Sequence, residues 1–175
     1  MSPLATSAIT MRPATEDDLP AVLALYAQPG MDDGKTLPMA EARALFARFA
    51  RYPDYVLYVA EDAGAVVGTL ALLIMDNLGH LGAPSAIVED VVVDPARQGG
   101  GVGGVMMRFA MRKAAEKGCY KLVLSSNAKR VRAHEFYEKL GFRRHGVSLH
   151  VDLTPAGEAM PEPSPIAPLS TEAAQ

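Results

Sequence analysis

The sequence contains a single cysteine, Cys119, in 175 residues. That excludes an intramolecular disulfide framework and any cysteine-built zinc or iron–sulfur centre. Positive charge is not in excess: 17 Lys and Arg against 20 Asp and Glu leave a net charge of −3. Nucleic acid and anionic membrane surfaces select basic footprints, so neither is expected as a partner. No apolar run approaches the ~18–20 residues of a membrane span. The longest, Val66 to Met75, is broken by Gly68 and Thr69. Met1 to Ala8 lacks the basic start and apolar core of a secretory signal. No HxxxH or clustered His/Asp spacing announces a metal among His80, His134, His145 and His150. These absences lead to the expectation of a cytoplasmic protein that works without a metal.

What is present fits one globular domain. Hydrophobic residues make up 49% and charged residues 21%, close to a soluble average, and the length suits a single core. Thr154 to Gln175 contains five prolines and almost no large apolar side chains, which predicts a disordered tail. Residues 1–8 are expected to be a flexible start, and 9–153 the folded unit.

Within that unit strands and helices alternate. Ile9 to Arg12 reads as a strand. Thr15 to Asp18 supplies an N-cap and early negative charge for a helix reaching Tyr26. Pro38 opens a second helix with apolar Ala42, Leu45, Phe46 and Phe49 on one face. Val56 to Glu61 and Ala65 to Met75 flank Asp62-Ala63-Gly64 as a hairpin. Ala86 to Val93 is a strand, Gly103 to Lys117 a helix, Tyr120 to Ser125 a strand and Val131 to Leu140 a helix. Phe142 to His145 and Val147 to Val151 are expected as terminal strands. The class is α+β (α/β), layered on one sheet.

Five glycines fall within Gln98-Gly99-Gly100-Gly101-Val102-Gly103-Gly104, between a strand and a helix. Glycine lets backbone N–H groups converge without obstruction by side chains. The helix start adds unpaired N–H groups and partial positive charge, so the loop suits a phosphate or pyrophosphate. A P-loop is excluded because no Lys-Ser or Lys-Thr follows. A dinucleotide fingerprint is literally present at Gly99, Gly101 and Gly104. Its setting is wrong: the next strand ends Leu124-Ser125-Ser126 without an acidic residue.

The run Val91-Val92-Val93-Asp94-Pro95-Ala96-Arg97-Gln98-Gly99-Gly100-Gly101-Val102-Gly103 resembles the central motif of the GNAT family of N-acetyltransferases, Q/R-x-x-G-x-G/A. Ala133 to Phe142 resembles that family's A-x-x-F-Y-E-K-L-G-F segment, and Met11 to Asp18 its usual start. The resemblance covers 9–153. It implies a mixed, mostly antiparallel twisted sheet that splays between its fourth and fifth strands. It also implies acetyl-CoA as cosubstrate. Pantetheine would pair with Val91, Val92 and Val93 as a strand would. Pyrophosphate would sit on Gln98, Gly99, Gly100, Gly101, Val102, Gly103 and Gly104.

Acetyl transfer to an amine needs a neutral amine, a polarised carbonyl and a proton for the leaving thiolate. Glu89 is the expected base, with Asp90 in reserve or a water chain from either. Strand alternation suggests that only one of the two faces the amine. The resemblance makes Tyr137 the acid beside the CoA sulfur and the Val92 N–H an oxyanion donor. Where the family often has an Asn that contacts pantetheine, this sequence has Arg130, a candidate cofactor-binding residue whose guanidinium cannot accept a hydrogen bond.

Ser125 to Tyr137 resembles the S-x-N-x-K-R-x-x-A-H-x-F-Y run of aminoalkylphosphonate N-acetyltransferases. Val88-Glu89-Asp90-Val91-Val92-Val93 and Cys119-Tyr120-Lys121 resemble glucosamine-6-phosphate N-acetyltransferases. Both acceptors are small primary amines bearing a phosphoryl anion. Lys129, Arg130 and Arg132 are the available cations, and His80 is a further candidate for the acceptor pocket. The rival expectations are an aminoglycoside or protein amine as acceptor, or a CoA-binding regulatory domain without turnover. Members of the family often dimerise, and the terminal strands would offer an edge for a homodimer.

Overall fold

The computed structural model describes residues 9–149. The expected flexible start, the proline-rich tail and the end of the last expected strand lie outside the described residues. The chain divides into two units, Met1–Arg143 and Arg144–Gln175. The sheet and all helices described below belong to the first. Residues 144–149 of the second are irregular, with a bend at Gly146.

The first unit is a five-stranded sheet with two helical layers. Its elements are β1 (Thr10–Pro13), α1 (Leu19–Tyr26), α2 (Met39–Phe49), β2 (Tyr55–Asp62), β3 (Ala65–Met75), β4 (Ser85–Val93), α3 (Val102–Glu116), β5 (Lys121–Val123) and α4 (Val131–Lys139). The strands lie in chain order, β1-β2-β3-β4-β5. The first three junctions are antiparallel, and β4 pairs with β5 in parallel. A parallel neighbour needs a crossover, which α3 supplies.

Two apolar layers hold the sheet. On one face Leu70, Leu72, Val88 and Ala86 pack with Val102, Met106, Met107 and Ala110 of α3. On the other, Leu57, Val59 and Ala71 pack with Val22 of α1, and Phe46 and Phe49 of α2 adjoin them. Strand β3 is buried on both sides, which explains its nearly unbroken apolar run. At the chain start Arg12 ties two elements together. Its guanidinium bonds Asp18 at 2.7 and 2.8 Å and Glu61 at 2.9 Å. That bonding holds the Asp18 carboxyl below its ordinary range.

Most expected elements stand within two residues of their predicted bounds. The terminal strands do not. Phe142 to His145 and the described part of Val147 to Val151 form no strand. Val147 to Val151 alternates apolar with polar residues, but Phe142-Arg143-Arg144-His145 does not. The exposed edge on which a dimer was expected is therefore absent among the described residues. β5 is also shorter than Tyr120 to Ser125, ending at Val123.

Candidate active site

The site begins where β4 and β5 part. Their ladder joins Ser85, Ala86 and Ile87 to Lys121, Leu122 and Val123 and stops there. From Val88 to Val93, β4 pairs with β3 alone, at Val88, Glu89, Val92 and Val93. The open side of β4 is a strand edge inside the fold, able to pair with an extended amide-bearing chain.

A β-bulge shapes this stretch. Thr69 opposes Val92 and Ala71 opposes Glu89, so β4 carries one residue more than β3 across the interval. Asp90 lies in the interval with φ +52°. The regular pairing is interrupted here, and Glu89 and Asp90 are both exposed. Burial pushes the Glu89 carboxyl up, and Asp90 pushes it further. Asp90 is raised by burial and then by Asp32. Both carboxylates act on the phenol of Tyr55, and Asp90 acts on that of Tyr26. The charges of these carboxylates thus reach Tyr26, Asp32 and Tyr55, which no local motif marked. Only folding of the segment after α1, and of the start of β2, toward β4 brings them in.

β4 runs through a short 3₁₀ turn, Pro95–Arg97, into the glycine loop. The Asp94 carboxylate caps that turn by accepting from the Ala96 N–H at 2.9 Å. Arg97 ion-pairs with buried Asp62 of β2 and so points away from the loop. Gln98 donates its side-chain amide to the Val93 carbonyl at 3.2 Å, so this amide faces back to the strand. Gly101 caps α3 at φ +85°, a conformation that other residues adopt at a cost. The first helical bond runs from the Val105 N–H to the Gly101 carbonyl at 3.1 Å. The N–H groups of Val102, Gly103 and Gly104 therefore have no acceptor within the helix. Val102 itself is a core residue, and it adds only its backbone to the loop. A Cβ on Gly103 would lie 3.2 Å from the Phe136 ring. That glycine thus lets α4 approach the loop. Gly99 and Gly100 complete the turn and are exposed.

Tyr137 lies on α4 against Phe136 and Phe142, with ring centroids 5.1 and 5.8 Å away. Burial raises its phenol, and Arg130 offsets part of the rise. Tyr137 is thus a neutral O–H donor at physiological pH, within the field of Arg130. Arg130 is the N-cap of α4. The Lys129 N–H bonds the Asn127 side chain at 2.9 Å, and the Arg130 N–H bonds the Asn127 carbonyl at 2.9 Å. That turn presents Lys129, Arg130 and Arg132 to solvent. None of the three forms an ion pair among the described residues. His80 belongs elsewhere. Its ring stacks on Tyr120 at 4.1 Å, beyond the Ser85 end of β4. Four residues of strand rise, roughly 13 Å, separate Ser85 from Glu89.

Residues 19–142 match the acetyltransferase (GNAT) family. Glucosamine 6-phosphate N-acetyltransferase of Trypanosoma brucei brucei is 36% identical over 97 residues, 55% of this chain and 64% of that protein. The match thus spans just under two thirds of that relative. Aminoalkylphosphonate N-acetyltransferase of Salmonella typhimurium is 31% identical over 134 residues, covering 77% of this chain and 84% of that one. The crystal structure of a Trypanosoma brucei acetyltransferase superposes with a TM-score of 0.72 at 31% identity, over 83% of this chain and all of that one. The parted strands, the glycine-capped helix start and these likenesses agree, and the chain belongs to the acetyltransferase (GNAT) family, which uses acetyl-CoA.

Proposed function

We propose that the chain transfers an acetyl group from acetyl-CoA to the primary amine of a small molecule bearing a phosphate or phosphonate. The observation that carries the transfer is the continuity of the parted β4 edge with the α3 N-terminus. The edge offers backbone groups to the pantetheine amides. The N–H groups of Val102, Gly103 and Gly104 suit a pyrophosphate. When bound, acetyl-CoA supplies an activated thioester.

The side chains divide the proton work. Glu89 or Asp90 accepts a proton from the ammonium, directly or through water, and frees the nitrogen lone pair. The raised carboxyls make both better bases than a solvated carboxylate. The amine nitrogen then bonds the acyl carbon, and the carbon–sulfur bond breaks. Tyr137 gives its phenolic proton to the departing sulfur, and the Val92 N–H is the proposed oxyanion donor. Arg130, beside Tyr137, stabilises the phenolate that this donation leaves.

Acceptor class rests on the cations at the head of α4. Lys129, Arg130 and Arg132 are exposed and unpaired by carboxylates among the described residues, as an anion subsite requires. The named relatives act on phosphoryl amines, which supports the same reading. His80 has no part in it.

The test is CoA-thiol release from acetyl-CoA across a panel of amines. The panel holds aminoalkylphosphonates, glucosamine 6-phosphate, aminoglycosides, polyamines and amino acids, and a Cys119→Ser control removes the protein's own thiol. Turnover with a phosphoryl amine, lost on Lys129→Ala with Arg132→Ala, supports the proposal. Turnover with cationic amines alone keeps the transfer and overturns the anion subsite. Binding of acetyl-CoA without turnover of any amine would favour a CoA-binding regulatory domain.

A further inference from the structure

Among the described residues three polar residues are buried: Asp18, Asp62 and Thr69. Two of them are well bonded. The Asp18 carboxylate accepts from Arg12 and Thr15, and the Thr69 hydroxyl donates to the Tyr58 carbonyl. Asp62, the last residue of β2, differs. Its side chain is 7% exposed, and its Oδ2 meets the guanidinium of Arg97. Its Oδ1 accepts no hydrogen bond among the described residues. A carboxylate taken out of water needs a paired charge, and Arg97 supplies it.

The pair joins the β2–β3 hairpin to the turn before the glycine loop, and the backbone independently brings these two together. Asp62 opposes Ala65 across the hairpin. Two residues further along β3, the Val67 carbonyl accepts the Asp94 N–H at 2.9 Å. Asp94 caps the turn Pro95–Arg97, and its carbonyl accepts the Arg97 N–H at 2.8 Å. The Arg97 carbonyl then accepts the Gly100 N–H at 3.2 Å. A Cβ on Gly100 would stand 3.2 Å from that same carbonyl, so the loop lies close against Arg97. A buried carboxylate is thus connected, through one side chain, to the glycines that lead to the N–H groups of Val102, Gly103 and Gly104.

We infer that Asp62 is a positioning residue for the cosubstrate: through Arg97 it fixes the turn that carries the glycine loop, and so sets where the loop's N–H groups meet the pyrophosphate. The inference rests on placing that pyrophosphate at the α3 N-terminus. A buried ion pair adds little stability over well-packed apolar residues, so the pair matters for geometry. Gly99 and Gly101 have φ of +80° and +85°, and with no side chains the loop has little of its own to fix its course. Attraction through space has the opposite sign at Asp62. Arg97 would draw an anion by its charge, and Asp62 would oppose it. Removing the Asp62 charge would then tighten acetyl-CoA, whereas loss of a positioning tie weakens it.

Asp62→Asn, Arg97→Met and the double variant are compared with the unsubstituted chain. Dissociation constants are measured for acetyl-CoA and for S-acetylpantetheine, which keeps the thioester and both amides and lacks the pyrophosphate. A hydrogen bond between charged groups is worth about tenfold in an equilibrium, so each single variant should weaken acetyl-CoA by about tenfold and S-acetylpantetheine by less than about twofold. The double variant should bind acetyl-CoA within about twofold of the weaker single variant, because the same tie is lost in all three. It also carries neither charge, so it decides the question where Arg97→Met alone does not fold. Tighter or unchanged acetyl-CoA binding by Asp62→Asn overturns the inference. Equal weakening of both ligands also overturns it, and would assign the pair to the fold at large. So do losses that multiply in the double variant, since the two residues would then act separately. If the unsubstituted chain binds both ligands equally, the glycine loop does not hold the pyrophosphate, and that reading falls together with the inference. Tighter binding of acetyl-CoA than of S-acetylpantetheine, with the variants unchanged, overturns the inference alone.

Discussion

At the scale of single residues, three groups of the proposed site, Tyr137, Glu89 and Asp90, are displaced from ordinary ionisation. Tyr137 is kept protonated by burial, the state a proton donor needs. Tyr137→Phe preserves the packing against Phe136 and Phe142 and removes only the hydroxyl. Turnover should fall by about a hundredfold, with acetyl-CoA affinity within about threefold. Equal loss of both, or loss of neither, would remove Tyr137 from the role of acid. Asp90 makes the opposite case. Burial and Asp32 raise its carboxyl, so ionising it favours the unfolded chain. Its contribution to stability is complete at low pH, where both states are protonated, and declines as pH rises from the unfolded pKa through the folded one. Asp90→Asn should therefore raise Tm at pH 7 while lowering turnover, and the gain should vanish as pH drops below the carboxylate range. Asn also tolerates the positive φ at this position. A loss of Tm at pH 7 would mean that the Asp90 carboxylate has a partner that stabilises its charge. The bulge was not legible in the sequence. Strand alternation is a strong rule, and no glycine or proline between Val88 and Val93 signals its failure.

At the scale of elements, legibility followed locality. α2 shows its apolar residues at helical spacing. The β2–β3 hairpin is bracketed by Asp62-Ala63-Gly64, and α3 starts at the glycines and stops at Gly118. Each is specified by neighbours in sequence. The misread elements needed distant partners. Val147 to Val151 alternates like a strand, and its described part, 147–149, forms none; alternation reports a possible face and not a neighbour to pair with. Tyr26, Asp32 and Tyr55 were missed for the same reason, since three separate segments bring them to one place. Interlocking also sets the cost of core substitutions. Leu70 is wholly buried in β3 beneath α3. Leu70→Ala should destabilise by about 2–5 kcal/mol, read as a lower midpoint in urea with the slope unchanged. Gly103→Val tests the approach of α4 to the glycine loop. Its Cβ would already stand 3.2 Å from Phe136, so α4 must move and carry Tyr137 with it. Turnover should drop more than tenfold while the far-UV spectrum of the fold persists. Unchanged turnover would show that the position of Phe136 does not govern Tyr137.

At the scale of the whole molecule the sheet is incomplete by design of its pairing. The β4–β5 ladder stops at Ile87 and Val123, and beyond it β4 pairs with β3 alone among the described residues. A ligand that pairs with open backbone groups of that edge in the folded chain alone stabilises the fold as well as serving the reaction. No helix of the described residues is long and apolar enough to cross a membrane. A ligand at a hundred times its dissociation constant stabilises a one-site protein by about 2.7 kcal/mol. For a chain of this length that is a rise in Tm of roughly 5–10 °C. Acetyl-CoA should produce it. ADP carries the pyrophosphate without pantetheine, and at equal concentration it should produce a clearly smaller rise, since it reaches the α3 N-terminus and leaves the β4 edge unpaired. Equal rises would mean that the glycine loop supplies the whole affinity and that β4 does not pair with pantetheine. A rise with acetyl-CoA and none with ADP would place the main hold on the strand and make the glycine loop a minor contributor. The graded result alone matches a sheet whose missing neighbour is supplied by the cosubstrate.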